Sequence, residues 1–405
     1  MSEHFIIVGG GQAASQAVQT LRQQGFAGKL TLIGEEPHLP YQRPPLSKKY
    51  LAGELPRERL FLRHAAFYAE KAVTLELGRS ATELDLANHI VRLDDGRTLS
   101  YDRLLLATGS AVRRLPIPGA DLAGVHYLRT IADVDAIAAR LAPNARVLLV
   151  GAGYIGLEVA AVTAQRGFAV TVVEALERAM ARTVAPQVSE FYHRQHREHG
   201  VTIHYGAAVR AFHGAGGVSA VELADGRRLD CDVAIVGIGV VPNVALARAA
   251  GLSCDNGIVV DAHARTGDEH VFAAGDCTNQ PLGTLGRRVR LESVPNAIHQ
   301  AKVAASGMLG APTTYSEVPW FWSDQYDLKL QIAGLSTGYE EVAIRTGATA
   351  HSFAAYYLTG GKVIAVDAVN SPHDFMNGKK LVAAGVALTA AEIGDPATDL
   401  AARAV

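Results

Sequence analysis

The stretch VLLVGAGYIGLEVAAVTAQRGFAVTVVE, residues 147–174, decides the fold of this chain. It begins with branched apolar residues that predict a buried strand. It continues through a glycine-rich turn into an apolar segment of helical length, and ends in a second strand closed by Glu174. Gly151 permits a tight turn, Gly153 lets the backbone approach a pyrophosphate, and Gly156 lets helix and strand pack closely. Free N–H groups at the helix N-terminus favour phosphates. The stretch therefore predicts a dinucleotide site, with Glu174 accepting hydrogen bonds from an adenosine ribose.

The same pattern occurs a second time near the beginning of the chain. A strand at Phe5–Val8 is followed by a G-x-G-x-x-A fingerprint that begins at Gly9 and ends at Ala14, and a second strand leads to Glu35. The two fingerprints begin 142 residues apart, at Gly9 and Gly151. Such internal repetition indicates duplicated architecture. One chain with two cradles is expected to bind two dinucleotides, most economically FAD in one and NAD(P)H in the other.

Composition limits the classes of function. A chain of 405 residues predicts two or three domains, and 49% hydrophobic with 19% charged residues is typical of a globular protein with large buried sheets. A net charge of −2 gives no global attraction to nucleic acid or to an anionic membrane. The apolar run Val147–Ala164 is assigned to the nucleotide turn and not to a membrane span, because it contains three glycines and Glu158.

Cysteines are sparse and far apart. Cys231, Cys254 and Cys277 form no C-x-x-C pair, which argues against a dithiol relay. So few cysteines, none of them closely paired, are typical of a protein of the reducing cytoplasm. The N-terminal region shows no pattern of a signal peptide. The sequence thus predicts a cytoplasmic protein.

Three further patterns are less specific. From pattern alone, Lys48, after the prolines of Pro44–Ser47, is expected to be a solvated lysine. The small-residue turn at Ala107–Gly109 and Asp276 after Gly275 both follow predicted strands, where backbone or an acid can approach a cofactor. The H-x-x-H-x-x-H spacing invites a metal interpretation, but on a helix the three side chains do not converge. A solvated helix face is therefore expected, with no metal, for His193, His196 and His199.

Several motifs together resemble one family. The chain contains YQRPPLSKKYL, GAGYIGLEVAA, GIGVVPN, AAGDC, ESVPNA and PWFWSDQY. It resembles the flavoproteins with two dinucleotide-binding domains, and in particular the ferredoxin reductases of bacterial oxygenase systems. The resemblance implies an α/β fold of the glutathione-reductase-like kind, with two Rossmann-like domains and a small α+β C-terminal domain. The resemblance implies a discontinuous FAD-binding domain of residues 1–110 and 239–317. The NADH-binding domain would comprise residues 111–238, and the C-terminal domain residues 318–405.

The resemblance also implies the residues of the sites. The FAD residues would be Gly9, Gly11, Ala14, Glu35, Arg43, Lys48, Thr108, Gly109, Asp276, Pro295 and Trp322. The NADH residues would be Gly151, Gly153, Tyr154, Ile155, Gly156 and Glu174. Lys48 is implied to lie near the flavin and to pair with Glu158, which reverses the expectation from pattern alone, and these two residues are the catalytic candidates. An acid at position 174 with no adjacent arginine favours NADH, although Arg178 and Arg182 follow closely and keep NADPH open.

The implied activity is that of an FAD-dependent ferredoxin–NAD(+) reductase. It would take hydride from NADH and pass single electrons to a [2Fe-2S] ferredoxin that feeds a haem-thiolate monooxygenase or a ring dioxygenase. A basic cluster is expected to favour an acidic ferredoxin, and the candidates are Arg287, Arg288, Arg290 and Lys329. Alternatives are reductases of rubredoxin or monodehydroascorbate, and a signalling flavoprotein of the apoptosis-inducing type. An NADH oxidase or peroxidase is disfavoured, because such enzymes need a redox cysteine where this chain has Pro44–Lys48.

Overall fold

Two parallel five-stranded sheets carry the two glycine-rich turns, one in each of two units of the chain. The computed structural model describes residues 3–283 and 286–404. Unit 1 comprises the chain up to Gln42, Arg57–Ala111 and Val240–Pro319, and unit 2 comprises Arg43–Pro56, Val112–Gly239 and the chain from Trp320 onward. The predicted NADH-binding and C-terminal domains thus lie in one unit, and the three-domain division stays a prediction.

Unit 1 is built around a parallel sheet. In spatial order its strands are Val271–Ala273, Arg103–Leu106, His4–Val8, Lys29–Gly34 and Val73–Leu77. The first four of these strands are mostly apolar and buried, because helices and loops cover both faces of such a sheet, whereas the edge strand Val73–Leu77 is partly exposed. Two smaller sheets have three strands each. One consists of Ala81–Asp85, Ile90–Leu93 and Thr98–Ser100, and the other of Ile258–Val259, Thr278–Leu282 and Arg287–Val289. A two-stranded sheet pairs Ser110–Val112 with Val240–Pro242. The helices are Gln12–Gln23, Ala65–Glu70, Ala245–Ala249 and Val294–Met308, with a 3-10 turn at Arg57–Leu60.

Unit 2 contains a parallel and an antiparallel five-stranded sheet. The parallel order is Thr202–His204, Ala169–Val173, Arg146–Val150, Val233–Val236 and Val125–Tyr127. The antiparallel order is Trp320–Gln325, Leu328–Gly334, Lys362–Val369, Phe353–Thr359 and Glu341–Thr346. A three-stranded sheet consists of Val209–His213, Ala220–Leu223 and Arg228–Asp230. The helices are Ile131–Arg140, Tyr154–Gln165, Pro186–Glu198, Pro372–Ala384 and Ala390–Gly394, with 3-10 turns at Pro44–Ser47 and Ala402–Ala404.

Backbone crowding explains the glycines at the strand ends. Gly151 has φ +103°, and a Cβ there would lie 2.5 Å from the carbonyl oxygen of Gly237. A Cβ on Gly156 would lie 2.1 Å from the carbonyl oxygen of Gly151. Gly9 repeats the arrangement in unit 1, with φ +135° and a Cβ position 2.1 Å from the oxygen of Ala107. Only glycine fits these positions, so both turns hold the strand end and the helix start close together.

No helix within residues 3–283 and 286–404 is long and apolar enough to cross a membrane.

Candidate functional sites in the two units

The first glycine turn, in unit 1, presents a free helix start at the carboxyl edge of the parallel sheet. The Gly9 N–H donates to the Ile33 oxygen at 2.8 Å, which ties the turn to the neighbouring strand. The helix then begins at Gln12 with Gly11 as its N-cap, and no side chain caps it. Ala14 is fully buried beneath the turn, and Glu35 follows the second strand with an exposed side chain. The uncapped N–H groups are thus available to a ligand.

The other predicted FAD residues of unit 1 are fixed by polar contacts. Asp276 follows the strand Val271–Ala273 and accepts a hydrogen bond at Oδ2 from the Ser110 hydroxyl, at 2.9 Å. The Thr108 hydroxyl donates to the Asn243 oxygen at 2.7 Å, while the Asn243 amide donates back to the Thr108 oxygen at 2.9 Å. Gly109 has φ +64°. Pro295 is buried in the first turn of the helix Val294–Met308. These residues are therefore held at defined positions along the sheet edge.

The second glycine turn, in unit 2, is closed by the carboxylate of Glu174. Its Oε2 accepts from the Ala152 N–H at 2.7 Å, and its Oε1 accepts from the Leu176 N–H at 2.9 Å. Each carboxylate oxygen can accept more than one hydrogen bond. The acid therefore has a structural role in shaping the turn, and capacity remains for ribose hydroxyls. Its assignment as the ribose acceptor stays a prediction.

The residues after Gly153 differ in exposure. Tyr154 begins the helix, and its ring meets that of Phe321 edge-on with centroids 4.9 Å apart. Its hydroxyl is buried, and burial raises the Tyr154 pKa well above its ordinary value. Ile155 is an apolar side chain that stays 42% exposed. Tyr154 thus supports the helix start from within unit 2, whereas Ile155 presents an apolar surface beside the turn.

The geometry of each glycine turn, at Gly11 and at Gly153, leaves room for a dinucleotide. A Cβ placed on Gly11 or on Gly153 would meet no atom within 4 Å. Packing within the protein therefore does not explain glycine at these two positions, in contrast to Gly9, Gly151 and Gly156. Open space beside uncapped backbone N–H groups is what the close approach of a pyrophosphate needs.

Lys48 and Glu158 form an ion pair within unit 2. The Lys48 Nζ lies 2.7 Å from Glu158 Oε2, and the side chains are only 16% and 4% exposed. The Ser47 hydroxyl donates to Oε2 at 2.5 Å, and the Ser323 hydroxyl donates to Oε1 at 2.6 Å. The solvated lysine that pattern alone favours is therefore wrong, and the pair implied by the resemblance is present. Their catalytic role stays a prediction.

Arg43 and Trp322, also predicted to contact FAD, lie in unit 2 as well. The Arg43 Nη1 donates to the Arg129 oxygen at 2.6 Å. Trp322 is partly exposed on the strand Trp320–Gln325, and its ring lies 5.8 Å from that of Trp320. Nothing in these contacts tests their assignment to FAD.

The proposed docking cations differ in what their side chains do. Arg288 is exposed, but its guanidinium donates to the Val260 oxygen at 2.6 Å and also to the Asn279 oxygen. Arg290 pairs with Glu292 and is only 14% exposed. Arg287 and Lys329 are exposed, the former on the strand Arg287–Val289 and the latter on Leu328–Gly334. Arg287 and Lys329 are therefore the better docking candidates, and the docking surface stays a prediction.

The histidine-rich helix Pro186–Glu198 corrects one expectation. His196 is fully buried, so this face of the helix is not solvated as predicted. Its ring contacts Gln325 through Nε2 at 2.9 Å and Tyr326 through Nδ1 at 2.9 Å. Burial lowers the His196 pKa to about 4. The polar pattern missed this position because its partners lie about 130 residues away, at the end of a strand and in the turn after it, within the C-terminal part of unit 2.

All three cysteines are free thiols. Cys231 and Cys277 are buried and Cys254 is partly buried. Burial raises the pKa of Cys231 to about 11 and also raises the pKa of Cys277. A raised pKa disfavours the thiolate that redox chemistry uses.

Four positioning residues were missed by the sequence analysis. Ser110 holds Asp276, and the Gln300 side chain accepts from the Gly275 N–H at 2.8 Å. Ser47 and Ser323 hold Glu158. Ser47 lies within the motif YQRPPLSKKYL and Ser323 within PWFWSDQY, but a serine in these motifs does not by itself indicate a role. Only the fold shows which carboxylate each hydroxyl meets.

Comparison with known proteins agrees with this geometry. The pyridine nucleotide-disulphide oxidoreductase model matches residues 3–301, and the reductase C-terminal model matches residues 320–404. Rhodocoxin reductase of Rhodococcus erythropolis is 43% identical, with 98% of this chain and 93% of that protein covered. The ferredoxin–NAD(+) reductase component of the anthranilate 1,2-dioxygenase system of Burkholderia cepacia is 42% identical over 98% of each chain.

A solved structure is equally similar. The reductase in the covalent putidaredoxin reductase–putidaredoxin complex is 40% identical, with a TM-score of 0.95 and coverage of 98% of this chain and 97% of that chain. The glutathione-reductase-like α/β fold predicted from the motifs is confirmed. Enzymes of this kind use FAD and NAD(H). The chain belongs to the pyridine nucleotide-disulphide oxidoreductase family and, within it, to the ferredoxin reductases of oxygenase systems.

Proposed function

We propose that this protein is an NADH-dependent, FAD-containing reductase that delivers single electrons to a [2Fe-2S] ferredoxin. The ferredoxin would in turn serve a haem-thiolate monooxygenase or a ring dioxygenase. One observation carries the proposal: a complete strand–glycine turn–helix cradle occurs in each unit, at Gly9 and at Gly151. The acceptor follows from the kinds of protein that the chain resembles, and a cytoplasmic location is proposed from its sparse, unpaired cysteines.

Flavin supplies the chemistry that side chains lack, because it accepts a hydride and releases electrons one at a time. The contribution of the chain is to bind, orient and balance charge. The N–H groups after Gly11 and Gly153 would hold the pyrophosphates. The acids Asp276 and Glu174 would fix polyol and ribose hydroxyls. No side chain is needed as a general acid or base, since hydride transfer involves no separate proton.

Lys48 and Glu158 are proposed to set the charge beside the flavin. The carboxylate is 4% exposed and is met by Lys48, Ser47 and Ser323. These donors fix the carboxylate in place, and the carboxylate in turn gives the Lys48 ammonium a defined position. Such a fixed ammonium would stabilise negative charge on a neighbouring ring without reorganisation of solvent.

Selection of NADH is supported by two side chains of unit 2. Glu174 closes the second turn, where an acid favours a free ribose 2′-hydroxyl. Arg178 donates to the backbone oxygens of Val184 at 2.8 Å and Ala181 at 2.9 Å. Because its guanidinium is occupied in its own loop, Arg178 is poorly placed to hold a 2′-phosphate.

Acceptor assays separate the proposed function from its alternatives. Purified protein would be assayed for NADH oxidation coupled to cytochrome c reduction, with and without an added [2Fe-2S] ferredoxin. A strong dependence on ferredoxin is expected. Equal rates with rubredoxin or monodehydroascorbate as acceptor would favour those alternatives. Turnover that no electron carrier accelerates would favour a signalling flavoprotein.

A further inference from the structure

A continuous chain of buried polar side chains leads away from Glu158 inside unit 2. The Ser323 hydroxyl meets Glu158 at 2.6 Å, the Gln325 amide nitrogen meets Ser323 at 3.3 Å, and His196 Nε2 meets the Gln325 amide oxygen at 2.9 Å. The Tyr326 hydroxyl meets His196 Nδ1 at 2.9 Å. Ser323, Gln325 and His196 are each at most 1% exposed. We call Tyr326, His196, Gln325 and Ser323 the donor chain.

The chemistry of each group fixes the direction of these hydrogen bonds. An amide oxygen only accepts, so His196 donates from Nε2, and in the neutral ring its Nδ1 accepts from the Tyr326 hydroxyl. The Gln325 nitrogen only donates, so Ser323 accepts from it and donates its own proton to Glu158. Every proton in the donor chain therefore points toward the Glu158 carboxylate. Hydrogen bonds aligned in this way polarise one another and strengthen the last one.

Three elements of the fold bring the donor chain together. Ser323 and Gln325 are two residues apart on the strand Trp320–Gln325, so their side chains lie on one face. That strand packs against the helix Tyr154–Gln165, which carries Glu158. His196 comes from the helix Pro186–Glu198. Packing of apolar residues alone would not select four mutually compatible polar groups, since each costs free energy unless it is hydrogen-bonded.

We propose that Ser323, Gln325 and His196 are positioning residues that hold the Glu158 carboxylate fixed opposite Lys48. The donor chain polarises the carboxylate but does not conduct protons, because the amide N–H of Gln325 is not acidic enough to transfer one. The inference rests on the proposed function, since it gives the Lys48–Glu158 pair its role beside the flavin. Its consequence is that residues outside the nucleotide sites set the charge that the flavin experiences.

The first test observes the His196 ring itself and needs no flavin. Protein labelled with ¹⁵N-histidine would be compared with its His196→Phe variant, so that the difference spectrum identifies His196 among 15 histidines. We expect a neutral ring protonated at Nε2, unchanged from pH 5.5 to pH 8. Burial, which lowers the His196 pKa to about 4, supports this expectation. Positive charge on the neighbouring His199 and His193 lowers the His196 pKa further, and the Tyr326 hydroxyl faces Nδ1. A cationic ring, or a proton on Nδ1, overturns the inference.

The second test measures the flavin midpoint potential between pH 5.5 and pH 8.5. Ser323→Ala removes the last donor, Gln325→Met breaks the chain at similar side-chain length, and Ser323→Thr keeps the hydroxyl. When the Glu158 carboxylate is less firmly held, it lies less closely against the ammonium and compensates the Lys48 charge less. We expect a tenfold rise in the ratio of reduced to oxidised flavin for Ser323→Ala, about 30 mV for a two-electron couple. A smaller rise in the same direction is expected for Gln325→Met.

Ser323→Thr is expected to match the wild type, because its hydroxyl can make the same hydrogen bond. Potentials of Ser323→Ala and Gln325→Met that equal the wild-type value at every pH overturn the inference. Failure of the proposed function is distinguishable, because wild-type protein would then show no ferredoxin-dependent oxidation of NADH. In that event the histidine spectrum still decides whether the donor chain exists as described.

Discussion

The Nζ of Lys48 lies 2.7 Å from Oε2 of Glu158, in a pair that is almost removed from solvent. Breaking a buried pair from one side costs about 3–5 kcal/mol, since the remaining charge is left uncompensated. The two partners are not equivalent, because Glu158 is 4% exposed and Lys48 is 16% exposed. This asymmetry leads to the first prediction.

Lys48→Met should destabilise unit 2 more than Glu158→Gln does. Lys48→Met leaves an unpaired carboxylate in the interior, which costs roughly 3 kcal/mol. Glu158→Gln leaves an unpaired ammonium that can reach water. The double variant Lys48→Met/Glu158→Gln should recover part of the loss, as measured by denaturant unfolding of all three variants. Strictly additive effects would show that the two side chains do not interact.

Two glycines of the second turn should respond differently to alanine. Gly153→Ala meets open space, so the melting temperature should stay within about 2 °C of the wild type while the KM for NADH rises at least tenfold. Gly156→Ala places a Cβ 2.1 Å from the Gly151 oxygen, so the melting temperature should fall clearly. Thermal unfolding and steady-state kinetics of both variants check this. An unchanged KM in Gly153→Ala would remove the pyrophosphate assignment.

Glu174→Ala should lower the preference for NADH over NADPH. A hydrogen bond from a ribose hydroxyl to a carboxylate contributes about 1.5–3 kcal/mol, so the ratio of kcat/KM values should fall by about tenfold or more. Glu174 also accepts from the N–H groups of Ala152 and Leu176, so the control is Glu174→Gln, which keeps one acceptor oxygen. If the ratio does not change in either variant, Glu174 is only a structural acid.

Asp367 should make the stability of unit 2 depend on pH. It is fully buried, and burial raises its pKa to about 7, from an ordinary value of 3.8. Between about pH 4 and pH 7 the folded state therefore keeps a proton that the unfolded state releases. The free energy of unfolding should fall with rising pH through this window, by roughly 4 kcal/mol in total. Denaturant unfolding of Asp367→Asn as a function of pH should show this slope flattened.

Tyr357→Phe provides the opposite control for Asp367. The Tyr357 hydroxyl donates to Asp367 Oδ2 and favours its anion. Without that donor the folded state should hold the proton more tightly, so the fall in the free energy of unfolding should continue to higher pH than in the wild type. A slope that is the same in all three proteins would assign the pH dependence to another group.

Arg287→Glu should slow reduction of an acidic ferredoxin by about three- to tenfold at low ionic strength and weaken its dependence on salt. Arg287 is exposed, and rim charges act chiefly on the association rate. Reduction of ferricyanide should be unchanged. Arg288→Glu is the matched contrast, because Arg288 is engaged by Val260 and Asn279 and its loss should instead lower stability. Ferredoxin kinetics unaffected by Arg287→Glu would remove this residue from the docking surface.

The amino-acid sequence by itself determined the two cradles. Alternating strand, glycine turn and helix are local patterns, and the crowding at Gly9, Gly151 and Gly156 follows from contacts that any such turn makes. The family likewise followed from motifs that are continuous in the chain. The ion pair of Lys48 and Glu158 required the family resemblance, since the two residues are 110 positions apart and pattern alone favoured a solvated lysine.

Only the tertiary structure decided which polar residues lie inside. His196 was expected on a solvated face and is buried, because Gln325 and Tyr326 reach it from the C-terminal strand and the turn after it. Arg288 and Arg290 looked like free cations, but Arg288 hydrogen-bonds to backbone oxygens although it is exposed, and Arg290 pairs with Glu292. Ser323 carried no signal and holds Glu158. The physical reason is the same in each case. Whether a polar side chain is solvated or buried depends on a partner distant in sequence, and local periodicity contains no information about that partner.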